Sequence, residues 1–175
     1  MLKRSMLILL TAAAPAAAQR APANPGVENA RVLWTGVRDY ITQSAADVPE
    51  SMYAYRPTPE VRTFGELIGH IAGSQKMFCA IALGEAPPAE DAVEKAATTK
   101  GALVAALKES NDYCARAYDQ TDAATTNAMV ALFGQQHSRL FVLLENATHD
   151  NEHYGNIVTY MRLNKMVPPS SRPAR

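Results

Sequence analysis

The chain has no excess of charge of either sign. Lysine plus arginine total 17, as do aspartate plus glutamate, so 175 residues carry a formal net charge of +0. Without a basic surplus there is no electrostatic footprint for nucleic acid or for an anionic membrane surface. Beyond the N-terminal region, no apolar run reaches the roughly 18 residues that a spanning helix needs. There is also no internal repeat and no convincing alternation of apolar and polar residues that would mark strands. Cysteine is scarce, with Cys79 and Cys114 alone, and neither is near enough to the N-terminus to take a lipid there. What remains is 47% hydrophobic residues, enough for one domain with one core.

The first residues stand apart. Lys3 and Arg4 precede the apolar stretch Ser5 to Ala14, then Pro15 and the small residues Ala16-Ala17-Ala18. A positive start, a short apolar stretch and an A-x-A site form the pattern of a secretory signal peptide, with the cut expected after Ala18. Residues 1–18 are therefore read as a leader, and the product as a soluble protein of a periplasm or the exterior, with no stable membrane insertion after cleavage. Loss of Lys3 and Arg4 leaves 15 basic residues against 17 acidic ones, a net charge of −2. An oxidising compartment permits a bond between the cysteines. Against it, Cys79 falls near the end of its expected helix and Cys114 well past the middle of the next. In an antiparallel pair they would lie at different heights, which favours two small buried thiols.

Residues 19–26, with Pro22 and Pro25, read as a disordered lead-in. Ala30, Leu33, Trp34, Val37, Tyr40 and Ile41 then follow the spacing of an amphipathic helix bounded by Pro49. Pro57 and Pro59 make Glu50 to Arg62 an extended connection, with Tyr53 and Tyr55 packed on the bundle. Thr63-Phe64-Gly65-Glu66 is a capping box that opens a second helix, which Gly84 ends. Thr98 or Thr99 caps a third, and a fourth runs from beyond Gly134 to Pro168-Pro169. Four amphipathic helices imply an all-α four-helix bundle over residues 27–167, with a Pro-rich tail over 168–175.

Two of the four histidines, His149 and His153, are one turn apart on the last helix, so both imidazoles leave the same face. His70 sits on the second helix amid Leu67, Ile68 and Ile71, a poor environment for an imidazole without a partner. Together they can offer three neutral nitrogens to one ion and leave positions for water or substrate. The alternative is a core His70 bonded to a carbonyl and two unrelated surface histidines. His137 is read as a surface residue. His149-Asp150-Asn151-Glu152-His153 also fits the H-x-x-E-H pattern of a class of metalloproteases, with Glu152 as base. Those enzymes need a further acidic ligand well downstream, and the chain ends soon after in a Pro-rich tail. Asp150 and Glu152 are left either to orient a ligand or to face solvent.

The segment Arg56 to Ala72, with Gly65-Glu66-Leu67-Ile68-Gly69-His70, resembles the second-helix region of the DinB-like family. So does His149 to Pro169, where H-x-x-x-H-x-G leads into Tyr160-Met161-Arg162-Leu163-Asn164. The resemblance extends over the chain from the first helix onward. It implies a four-helix bundle holding a divalent metal through His70, His149 and His153. It also implies kinship with thiol-dependent transferases and isomerases, and it implies no DNA binding. One departure is Lys165, where the family often has glycine after the asparagine. The export signal is another, because the thiols used by cytosolic relatives are scarce outside the cytoplasm.

The expected function is that of an exported metal-dependent enzyme acting on a small-molecule substrate, a hydrolase if water is activated and a thiol transferase if a thiol is. Three imidazoles suit Zn, Ni, Fe or Cu. No residue stands out as the general acid or base. The alternative is a bundle that binds metal or a small ligand without turnover, as a homodimer through an apolar helix face.

Overall fold

The computed structural model describes residues 24–173; the expected leader and residues 19–23 of the lead-in lie outside the described residues. Helix α1, Pro25–Asp47, begins where the Asn24 side chain accepts from the N–H groups of Gly26 and Val27 and Pro25 occupies the first turn. Pro25 and Gly26, expected in the lead-in, thus belong to the first turn of α1. Helix α2, Phe64–Leu83, carries the Thr63/Glu66 capping box and ends at left-handed Gly84. A short α3, Ala92–Ala96, interrupts the connection to α4, Lys100–Gln120, which Thr99 caps. Helix α5, Arg139–Leu163, is capped by Ser138.

Side-chain contacts fix the helix directions. Tyr40 stacks on Tyr154, and Gly26 lies against Leu140, so α1 and α5 run parallel. Gly65 meets Leu103 and Gln75 meets Ser110, so α2 and α4 are parallel too. Thr42 bonds Asn111, and Lys100 reaches the Ala46 carbonyl, which sets α4 antiparallel to α1. The order is up, down, down, up. Two parallel neighbours need a long return, and residues 84–99 provide it by running back along α2, Glu90 beside Gly73 and Glu94 beside Gly69.

This topology corrects the reading of the cysteines. Because α2 and α4 run side by side in the same direction, Cys79 and Cys114 lie at one height and form a disulfide, Cα to Cα 5.3 Å.

The absence of strands also needs correction. Met129–Leu132 (β1) and Gln135–Ser138 (β2) pair antiparallel, Leu132 facing Gln135. Phe133 and Gly134 have φ of 51° and 79°, the paired positive values of a two-residue hairpin turn. The hairpin joins α4 to α5 and leaves the long elements an all-α bundle.

The core falls into two apolar clusters. Ile41, Phe64, Ile68, Ile71, Leu107 and Ile157 fill one, and Trp34, Phe78, Ala82, Tyr118, Val142 and Leu143 the other. Between them lies a buried polar layer: the Ser110 hydroxyl donates to Gln75 Oε1, and Gln75 Nε2 donates to Asp150 Oδ2 at 2.8 Å. The three expected metal-binding histidines come from the same level of the bundle. The tail is anchored, with Pro169 buried, Tyr154 bonded to Ser170 and Arg172 paired with Asp47. Among the described residues, no helix is long and apolar enough to cross a membrane.

Candidate metal centre

Antiparallel packing of α2 on α5 brings His70 against His149 and His153. His153 Nε2 lies 3.1 Å from His70 Nε2 and 3.1 Å from His149 Nε2, and one nitrogen from each ring lies within 4.8 Å of the others. Two donors bound to one ion at about 2.0–2.1 Å are roughly 3.0–3.4 Å apart, so the 3.1 Å edges fit a shared ion. Burial lowers the His70 pKa to about 4, helped by the Arg62 and His153 charges, and lowers that of His149 to about 3, helped by His153, His70 and Arg62. His153 is lowered as well, chiefly by burial. At neutral pH the three rings are uncharged and one nitrogen of each faces the other two, an arrangement that suits a cation.

The outer nitrogens have polar neighbours. The Ser74 hydroxyl donates to the His70 carbonyl at 2.8 Å and lies 3.3 Å from His149 Nδ1. With its proton engaged, that oxygen can accept from Nδ1–H and turn the Nε2 lone pair inward. The Asn156 amide lies 3.4 Å from His153 Nδ1. Among the described residues His70 Nδ1 is buried without a hydrogen-bond partner, and the Glu94 carboxylate is 3.8 Å away. Glu94 in turn accepts from Arg62 Nε at 3.1 and 3.2 Å. Tyr160 holds this arginine's backbone by donating to its carbonyl at 2.6 Å.

A cavity of about 720 Å³ opens beside His153, lined by Arg56, Arg62, Glu66, Asn156 and Tyr160 among others. The remaining residues singled out from sequence lie elsewhere. His137 is on β2, stacked on Phe141 at 4.1 Å, and outside the cluster. Glu152 is exposed. Asp150 is fully buried rather than solvated, and its partner is Gln75, not a histidine. Sequence reasoning missed Glu90, Glu94, Arg62 and Ser74; the one available signal was Gly69 and Gly73 flanking His70 on α2.

A family model described as the DinB superfamily matches residues 33–157. The chain belongs to the DinB superfamily. Solved DinB-like structures agree in fold. One from Bacillus cereus ATCC 10987 has 16% identity over 81% of this chain and 95% of its own, with a TM-score of 0.69. One from Bacillus subtilis has 19% identity over 86% and 100%, with a TM-score of 0.65. A mycothiol-dependent maleylpyruvate isomerase shares the fold at TM-score 0.64 and 16% identity, over 75% of this DinB chain but only 59% of the isomerase. No curated protein sequence matches.

Proposed function

We propose that this DinB protein is an exported metal-dependent enzyme that holds a divalent ion with His70, His149 and His153. The observation that carries the reading is the convergence of one ring nitrogen from each of three histidines beside a cavity large enough for a small molecule. A divalent ion held there supplies the charge that lowers the pKa of a water or a thiol. The protein's own part is to keep the rings uncharged by burial and to orient them through Ser74 and Asn156. It also admits a substrate from the cavity along His153. Likeness of fold to a thiol-dependent isomerase makes thiol transfer one of the two reactions to test, and hydrolysis the other.

Export is part of the same proposal. It rests on the leader-like residues 1–18 and gains support from the Cys79–Cys114 disulfide, a bond that persists in oxidising compartments. The test is metal analysis of untagged protein, followed by turnover assays on esters, amides and low-molecular-weight thiols with electrophilic acceptors. One ion per chain is expected, lost in His70→Ala and His153→Ala, and turnover that disappears on chelation. Metal content unchanged by both substitutions would overturn the site. Bound metal without metal-dependent turnover would leave a binding protein.

A further inference from the structure

The return connection between α2 and α4 carries a carboxylate to the histidines. Glu90 Oε1 lies 3.8 Å from His70 Nε2 and 3.8 Å from His149 Nε2, the inward-facing nitrogens of two different helices. No hydrogen-bond partner holds Glu90 elsewhere among the described residues. An ion seated between these two nitrogens would lie within reach of the carboxylate as well.

The approach is built into α2. A Cβ at Gly73 would fall 2.0 Å from the Glu90 carbonyl oxygen, and one at Gly69 2.8 Å from the Glu94 Cα. Any side chain larger than hydrogen at position 73 therefore displaces the backbone of Glu90. Glycine in the middle of a helix costs about 1 kcal/mol relative to alanine. Here two glycines one turn apart flank His70 and let the connection lie directly against the helix. The same segment sets Glu94 between Arg62 and His70 Nδ1.

We propose that Glu90 is a fourth protein ligand to the ion held by His70, His149 and His153, delivered by the connection that rests on Gly69 and Gly73. The inference rests on the metal-site reading above. Its contacts at 3.8 Å are a few tenths of an ångström outside the ligand edge, a gap that rotation of a half-exposed side chain closes. Three imidazoles and one carboxylate make a harder donor set than three imidazoles alone, suited to Zn or Fe over a soft ion, and only an ion that expands to five ligands then keeps a position for water or a thiol. The carboxylate also reduces the net charge of the centre by one.

The test measures Zn affinity by chelator competition and the visible spectrum of the Co(II)-loaded protein, in wild type, Glu90→Ala, Gly73→Ala and Glu152→Ala. Glu90→Ala should weaken Zn binding by about 10- to 100-fold and change the Co(II) spectrum. Gly73→Ala, which removes no ligand, should shift both in the same direction. Glu152→Ala removes an exposed acid beside His153 and should leave both unaltered. Glu90→Ala leaves the backbone contact with Gly73 in place, so it carries the test even if Gly73→Ala folds poorly. If wild type binds Zn and Glu90→Ala binds it equally well, or loses no more than Glu152→Ala, Glu90 is not a ligand and the three-histidine reading survives. If wild type binds no Zn or Co(II), both readings fall together.

Discussion

Gln75 and Asp150 meet at the centre of the bundle, the amide of one donating to the carboxyl of the other at 2.8 Å, with Asp150 fully buried. Burial pushes the Asp150 carboxyl up to about 8, against the opposing pull of the Gln75 amide and the Trp34 indole. At neutral pH the group is therefore largely a neutral acid, and the layer that separates the two apolar clusters carries little charge.

The pH dependence follows from the sign of that shift. Between the unfolded value of 3.8 and the folded value near 8, the folded chain holds a proton that the unfolded chain has lost. Stability from this group is full below 3.8 and falls as pH rises through 8. In metal-free protein, Asp150→Asn should flatten the fall in Tm between about pH 4 and 8. An unchanged slope in thermal scans across that range would show that Asp150 is ionised in the folded state.

The histidines act in the opposite sense. Their folded values, about 4 for His70 and about 3 for His149, lie below the ordinary 6.5, so the unfolded chain takes up protons first as pH falls. Their contribution is intact above 6.5 and lost as pH drops toward 4 and 3. Metal-free protein should lose Tm steadily from pH 6.5 downward. A His70→Ala/His149→Ala/His153→Ala variant should show a shallower acid limb, and parallel limbs would contradict the burial argument.

Much of this was legible in the sequence because it is local. The capping box at Thr63, the left-handed end at Gly84 and the one-turn spacing of His149 and His153 depend on residues a few positions apart. Helix direction does not. Apolar periodicity is the same whether α4 runs with α2 or against it, so the heights of Cys79 and Cys114 could not be read without the return through α3. The hairpin escaped notice because Met129 to Leu132 does not alternate. Glu90 escaped for a related reason: only the packing of its loop on Gly69 and Gly73 brings it to the histidines.

The disulfide closes a loop with a sequence separation of 35. Chain-entropy reasoning assigns such a loop about 4 kcal/mol, with engineered cases often giving less. Cys79→Ala/Cys114→Ala should lower unfolding free energy by about 2–4 kcal/mol. A reductant should lower the Tm of the wild type and leave that of the double variant unmoved. Equal response of both proteins would mean that the cysteines are not joined.

The end of α5 shows what the departure at Lys165 does. Met166 N–H bonds the Met161 carbonyl at 2.9 Å and Lys165 N–H bonds that of Arg162 at 3.0 Å, the paired closure of a helix whose next residue is left-handed. Lys165 is that residue, with φ of 59°. A side chain there crowds the following carbonyl at a cost of about 1 kcal/mol, which glycine escapes. Lys165→Gly should raise stability by up to about 1 kcal/mol in urea unfolding. Lys165→Val should lower it, because a β-branched residue tolerates this conformation least. Zn affinity should be the same in both variants, since the closure begins beyond Tyr160 and leaves His149 and His153 in place. A stability gain in Lys165→Val would refute the assignment of strain to this position.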